Sequence, residues 1–244
     1  MKTMPAQLPI PIIAVVGSRK SGKTTTVEAI VRGLAKKGYR VATVKHIHEP
    51  NFTIDAKGKD TWRHTQAGAH TVVGVSQNEL ATIKKTDTTK LTLNDITQDI
   101  QTNTDIIILE GFRHITAQDP TIPKIVTAKN KKDIQEATQT IKPILAFTGP
   151  IKKTEFPTAL SIPYVDIKTQ PKKLTDIIDK RVAPIIQKRR QTTQTININI
   201  NGKNLPLNTY VQNVTRNVLL AIINTLKGTT ITGNENIQIT VTNP

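Results

Sequence analysis

Between residues 11 and 147 the chain alternates short apolar runs with segments whose apolar residues recur every three or four positions. The first run, residues 11–16, contains no charged residue and reads as a buried strand. Residues 22–37 follow as a helix with Val27, Ile30, Val31 and Leu34 on one face, and Gly38 is placed to stop it. The same pattern predicts a strand at 40–45, a short helix at 60–67 and a strand at 71–75, with 79–84 beside it as a hairpin. Next come a helix at 93–101, a strongly apolar strand at 105–109, a strand at 124–128, a helix at 131–140 and a strand at 144–147. Strands alternating with helices predict an α/β fold with a mostly parallel sheet flanked by helices.

Residues 171–188 predict one more helix, and the polar, basic stretch KRRQTTQT at 188–195 reads as a linker. The pattern then changes. Residues 195–200 alternate strictly between polar and apolar, which predicts a half-buried strand. NGKNLPL turns the chain, Asn208 caps a helix to about residue 226, Gly228 ends it, and residues 237–241 alternate again. The expectation is therefore an α/β domain at 1–190, which the loop at 17–24 makes a nucleotide-binding one, and a small α+β module at 195–244. No internal repeat is visible.

Chemistry enters where the first strand meets the first helix. Gly17, Gly22, Lys23 and Thr24 match G-x-x-x-x-G-K-[ST] in full, between an apolar strand and an amphipathic helix. The glycines let backbone N–H groups curl around a phosphate, Lys23 reaches the β- and γ-oxygens, and the Thr24 hydroxyl is a Mg²⁺ ligand. The expected nucleotide-binding segment is Gly17, Ser18, Arg19, Lys20, Ser21, Gly22, Lys23, Thr24 and Thr25. Partitioning ATPases and the nitrogenase iron protein carry a second lysine early in this loop. Ser18 stands there instead, which sets those switches aside.

Two further segments add to the site. TVKHIHEPNFTIDAKGKDTWRHTQAGA, residues 43–69, begins at the carboxyl end of a strand, where open α/β sheets bind their ligands. Lys45, His46, His48, Asp55, Lys59, Asp60, Arg63 and His64 are costly in a core and useful beside phosphate. Asp55 could hold Mg²⁺ through water, and Lys59 or Arg63 could bind a second anionic group. Because His46 and His48 alternate, a strand continuing through them would turn only one to the site. Residues 105–113, DIIILEGFR, end an apolar strand in Glu110, a carboxylate placed to take a water of the Mg²⁺ shell or to polarise an attacking water. Asp55 and Glu110 are the candidate catalytic carboxylates.

Together, GSRKSGKTT, TVKHIH, DAKGKDTWRHTQAGA and DIIILEGF resemble the MobB family of molybdopterin-guanine dinucleotide biosynthesis adapter proteins, over residues 11–147. The middle motif is the specific one, at Asp55, Gly58, Lys59, Asp60, Thr61, Ala67, Gly68 and Ala69. The resemblance implies a homodimeric GTP-binding protein with weak GTPase activity. Its role would be to assist the guanylyltransferase that joins GMP to molybdopterin. It also implies that Thr24, Asp55 and Glu110 form the metal environment and that Lys45, His46, Lys59, Asp60 and Arg63 line a phosphate or substrate site. The tail from about residue 195 has no counterpart in the minimal family pattern, and an added dimerisation or partner-binding module is the expectation for it.

Asn130, Lys131 and Asp133 form N-K-x-D after the strand that follows the magnesium-site strand. Asp133 could accept from guanine N1 and N2. The same residues also make an ordinary helix start with Asn130 as cap. The residues leave both readings open, and the preference for GTP follows from the resemblance.

Composition changes the picture little. Among 244 residues there are no cysteines, so disulfides and thiolate metal sites are excluded, and a cytoplasmic location is the default. The N-terminal stretch has no small-residue cleavage site and leads straight into the loop, so a signal peptide is not expected. No run approaches a membrane span. The net charge of +16 is scattered and has no nucleic-acid recognition motif with it, so neither a membrane nor a nucleic acid is an expected partner. The competing reading is a P-loop small-molecule kinase acting on an anionic metabolite. Such a kinase needs arginines near the transferred group, and Arg113 stands alone between Glu110 and Phe147.

Overall fold

A computed structural model of the chain describes residues 10–49, 52–100, 104–192, 198–200, 203–223 and 225–226. Two compact units divide between Ile177 and Ile178. The first, Ile12–Ile177, opens with β1 (Ile12–Gly17), α1 (Lys23–Lys36), β2 (Val41–Lys45) and α2 (Asp60–Gln66). A hairpin of β3 (Thr71–Val75) and β4 (Leu80–Lys84) and a short α3 (Leu93–Thr97) come next. The chain then makes β5 (Ile106–Glu110), α4 (Arg113–Thr116), β6 (Lys124–Thr127), α5 (Lys131–Thr140) and β7 (Ile144–Thr148).

Five strands form one parallel sheet in the order β2-β5-β1-β6-β7. β5 and β1 lie at its middle. Every residue of β5 is buried, as is Ile13–Val16 within β1, which explains their near-continuous Ile, Val and Leu. The predicted hairpin forms, but as a separate antiparallel sheet rather than part of the main one.

α1 buries Thr26, Val27, Ile30 and Leu34, one stripe at helical spacing. Its neighbour at Gly33 is Thr175, whose hydroxyl a Cβ on Gly33 would overlap. That glycine permits close approach of α1 to the first turns of α6 (Pro171–Thr192), and Lys37 pairs with Asp176 there at 2.9 Å. At the other end of the sheet Arg40 clasps the buried Asp105 through its backbone N–H at 2.8 Å and two guanidinium nitrogens at 3.1 Å.

Three boundaries depart from the sequence pattern. α3 ends at Thr97, several residues short of the predicted 101, because its apolar side chains are sparse and none of its residues is buried. α6 runs on to Thr192, through residues 188–192 that read as linker. Lys, Arg and Gln are good helix formers, and nothing in that stretch breaks a helix already under way. The short α4 was not expected at all; it follows Phe112, which adopts a left-handed φ of 57°.

In the second unit β8 (Ile198–Ile200) and β9 (Lys203–Leu205) pair antiparallel, and α7 (Thr209–Ile223) follows. Asn208 caps α7 by accepting from the Val211 N–H at 2.9 Å. The strand predicted at 237–241 and the start of that at 195–200 lie outside the described residues.

Candidate functional site

The parallel register brings the chemistry to one edge of the sheet. Val15 is level with Glu110 on one side of β5, and Lys45 is level with Glu110 on the other. The loop between β1 and α1 therefore leaves the sheet beside the carboxyl end of β5, at an edge where α/β sheets collect ligands.

Close packing shapes that loop. A Cβ on Gly17 would overlap the Thr127 hydroxyl and carbonyl and come within 2.8 Å of Ser21 Oγ. Ser21 Oγ shares a hydrogen bond with Thr127 Oγ1 at 2.6 Å and donates to the Ser18 carbonyl at 2.7 Å, which clamps the turn to β6. Gly22 holds a left-handed φ of 89° at the N-cap of α1 and places no side chain over the first-turn N–H groups. No acidic residue sits in that first turn either. Uncapped N–H groups at the positive end of a helix dipole suit an anion.

Lys23 folds back across the loop, donating to the Gly17 carbonyl at 3.0 Å and the Ser18 carbonyl at 2.7 Å. Burial pushes its pKa below the ordinary lysine range, Glu110 works against that shift, and Lys45 and Lys129 reinforce it. An ammonium crowded by other cations gains from an anionic ligand. Thr24 Oγ1 donates to Glu110 Oε1 at 2.7 Å. Lys45 Nζ lies 3.1 Å from the same carboxylate oxygen and 3.4 Å from Thr24 Oγ1. A cation thus already stands beside the two oxygens that Mg²⁺ would use, one hydroxyl and one carboxylate, both hard donors. Thr24 and Glu110 fit the metal.

The N-K-x-D segment lies next to the loop. Asn130 Oδ1 accepts from the Asp133 N–H at 2.9 Å, so Asn130 caps α5. Asp133 Oδ2 accepts from the Lys129 N–H at 2.8 Å and from Ser18 Oγ at 3.4 Å, and the Lys129 ammonium reaches the Arg19 carbonyl at 3.3 Å. The capping role is realised, and it presents the Asp133 carboxylate at the rim of the loop. Lys131, in the first turn of α5, is exposed. Gly149 continues this rim: with φ 114°, it lies so close to Ala128 that a Cβ would come within 2.5 Å of the Ala128 carbonyl oxygen.

Two adjoining cavities open here. The smaller, about 310 Å³, is lined by Arg19, Lys20, Ser21, Gly22, Lys23, Thr24, Thr25 and Glu110. The larger, about 1160 Å³, shares Arg19, Lys23 and Glu110 and adds Lys45, His46, His48, Glu49, Phe52, Gly111, Phe112, Arg113 and His114 among its walls. His46 and His48 both face it, with Nδ1 of one 3.2 Å from Nε2 of the other. The alternation expected of a strand fails because β2 ends at Lys45: the His46 N–H still bonds the Glu110 carbonyl at 2.9 Å, and the residues after it are no longer strand. Burial, then the neighbouring His48 and His114 rings, push the His46 pKa down.

Asp55, Lys59, Asp60 and Arg63 line neither cavity. Asp55 Oδ1 accepts from Thr61 Oγ1 at 2.8 Å, and its Oδ2 is buried with no hydrogen-bond partner. Arg63 pairs with Asp60 at 3.4 Å on the exposed face of α2, and Lys59 holds the helix N-cap position. Thr127, Lys129, Phe112 and His114 belong to the site without having been singled out from the sequence. Thr127 and Lys129 carried a signal, since they precede N-K-x-D. Phe112 and His114 carried none, because their positions depend on the turn after Gly111. Among the described residues no three His, Asp or Glu side chains form a metal cluster, and no helix is long and apolar enough to cross a membrane.

Known proteins resemble this chain in sequence and fold. The profile of the molybdopterin guanine dinucleotide synthesis protein B family, MobB, matches residues 12–148, more than half of the chain. The molybdopterin-guanine dinucleotide biosynthesis adapter protein of Haemophilus influenzae is 31% identical over 172 residues, 70% of this chain and 88% of that one. The adapter protein of Escherichia coli K12 is 32% identical over 107 residues, 43% of this chain and 61% of that one. The crystal structure of Bacillus subtilis MobB is 25% identical with a TM-score of 0.54, covering 70% of this chain and 98% of that chain. Matched by the family profile over more than half of its length, and 31% identical to a relative of which it covers 88%, the chain belongs to the MobB family.

Proposed function

We propose that the protein binds GTP with Mg²⁺ in the loop of Gly17–Thr24 and serves as an adapter in molybdopterin-guanine dinucleotide biosynthesis. The observation that carries this is the Thr24–Glu110 pair at 2.7 Å, with Lys23 across the loop and Lys45 at the same carboxylate. Thr24 would hold the metal directly and Glu110 through a water of its shell. A bound ion would supply charge neutralisation on the phosphates. Lys23 and the first-turn N–H groups of α1 orient the phosphates. Asp133, at the rim, accepts from the guanine edge.

Asp55, whose Oδ2 is buried and unpartnered, lines neither cavity, so the metal site is proposed on Thr24 and Glu110 and the part of Asp55 in it rests on the family resemblance alone. The protein presents nucleotide to a molybdopterin guanylyltransferase as a cytoplasmic homodimer, and its own hydrolysis is weak. The module from about residue 195 adds a dimerisation or partner-binding surface. A metabolite kinase is disfavoured by Arg113, which is tied to Glu136 and Thr140 at 2.8 and 2.9 Å.

The experiment is a titration of the full chain with GTP and ATP, with and without Mg²⁺. Turnover is then followed alone and with molybdopterin plus its guanylyltransferase. GTP-selective, Mg²⁺-dependent binding and faster dinucleotide formation are expected. ATP preference with phosphoryl transfer to a metabolite would refute the reading.

A further inference from the structure

Lys45 takes for itself the two oxygens that suit a divalent ion. Its Nζ lies 3.1 Å from Glu110 Oε1 and 3.4 Å from Thr24 Oγ1. The Thr24 hydroxyl gives its proton to Glu110, which leaves its lone pairs to a cation, and the Lys45 ammonium donates to that oxygen. A Mg²⁺ ligand must offer such a lone pair at about 2.1 Å. One oxygen pair cannot serve an ammonium and a divalent ion at the same time.

The fold puts Lys45 there and also lets it leave. Lys45 closes β2, level with Glu110 on the neighbouring β5. β2 is an edge strand of the five. The Lys45 side chain is 54% exposed, whereas that of Glu110 is 11% exposed. Lys45 lines the larger cavity and not the phosphate compartment, so the ammonium reaches the carboxylate from the cavity side and can swing back without disturbing the sheet. Nearby cations are engaged elsewhere. Arg113 is tied to Glu136 and Thr140, and Lys23 donates to the carbonyls of Gly17 and Ser18. Among the described residues Lys45 is therefore the cation in ion-pair contact with Glu110. A buried carboxylate is costly without such a partner.

We propose that Lys45 is a tethered competitor of the divalent ion. Its ammonium holds Thr24 and Glu110 until the phosphates of a bound nucleotide add enough negative charge for Mg²⁺ to win the same oxygens, and Lys45 then withdraws into the larger cavity. The inference rests on the GTP–Mg²⁺ reading of the loop and adds an order to it: nucleotide first, ion second. Lys45 thus regulates the site by setting how much free ion the loop needs, and it keeps Glu110 paired when no ion is held.

The test measures ion binding in the full chain. Bound Mn²⁺, standing in for Mg²⁺, is counted by electron paramagnetic resonance with and without a non-hydrolysable GTP analogue, and analogue affinity is followed against free Mg²⁺. The wild type should bind the ion only weakly without the analogue. Lys45→Met should bind it about tenfold more tightly in both conditions, the scale of one unit charge removed from beside the ion. Lys45→Arg keeps the charge and should stay near the wild type. Unchanged ion affinity in Lys45→Met, or an equal gain in Lys45→Arg, would overturn the proposal. So would a lower analogue affinity at an unchanged half-saturating Mg²⁺ concentration, the mark of a phosphate ligand. These outcomes leave the GTP–Mg²⁺ reading standing, because the wild type would still bind the analogue in a Mg²⁺-dependent way. A wild type whose analogue affinity ignores Mg²⁺ would refute that reading and the competition together.

Discussion

Thr24 Oγ1 and Glu110 Oε1 lie 2.7 Å apart, joining the first turn of α1 to the carboxyl end of β5 across 86 residues of sequence. The separation is a consequence of register, since β1 and β5 are neighbours in the sheet. Glu110→Gln keeps the shape and the hydrogen bond while removing the charge. The Mg²⁺-dependent part of GTP affinity should fall about 10- to 100-fold, the usual cost of altering a residue that positions a metal's ligands. Binding without Mg²⁺ should change little. Titration calorimetry with and without the ion checks this, and an unchanged Mg²⁺ response would remove Glu110 from the metal environment.

Lys23→Ala removes the ammonium that spans the loop at Gly17 and Ser18. GTP–Mg²⁺ affinity should drop about a hundredfold, the size of a charge-assisted contact to phosphate. Because the side chain is partly exposed, thermal stability should hardly move. A variant that binds GTP normally would contradict the site.

Asp133→Asn tests whether the α5 start also reads the base. The Asn130 cap survives this change, since it uses the Asp133 backbone N–H. The ratio of GTP to ATP affinity should fall about tenfold, because the lost acceptor faces only guanine's donors. A ratio that stays constant, with α5 intact by circular dichroism, would leave the segment as a cap alone.

Lys124 lies fully buried in β6, its ammonium donating to the carbonyls of Asp119 and Lys142 at 2.6 Å each. Burial lowers its pKa, and Asp119 offsets part of that shift. The unfolded lysine keeps its proton to about pH 10.5, whereas the folded one releases it earlier. In that window the unfolded state binds more protons, so stability rises with pH. Below the folded pKa the penalty is constant. Lys124→Met should abolish the rise, so urea melts of the two proteins between pH 8 and 10.5 should diverge in slope. Parallel slopes would show that Lys124 does not titrate in this range.

Gly149→Ala places a methyl group against the Ala128 backbone, 2.5 Å from its carbonyl oxygen, at a φ of 114°. Overpacking against backbone costs about 1–3 kcal/mol, and the conformation adds to it. Urea denaturation should register a loss of at least that order, and a neutral outcome would mean that the β7–β6 contact relaxes at little cost.

The sequence alone determined the parallel sheet, the loop and its neighbours. β5 reads as a strand because a fully buried parallel strand must be apolar throughout, and the loop reads as a phosphate site because its glycines and lysine keep fixed spacing. The helix start at Asn130 was legible for the same local reason. What the sequence left open depended on long-range contact. His46 and His48 face one cavity because β2 stops at Lys45, which alternation along the chain could not reveal. α6 passes through a stretch that looked like a linker because helix propagation needs no apolar residue once begun. Only tertiary structure brought Lys45 and Glu110 to the same edge and set His114 beside His46, through strand order and a left-handed turn at Phe112. Local spacing encodes how a phosphate is held; the order of strands in the sheet decides what stands next to it.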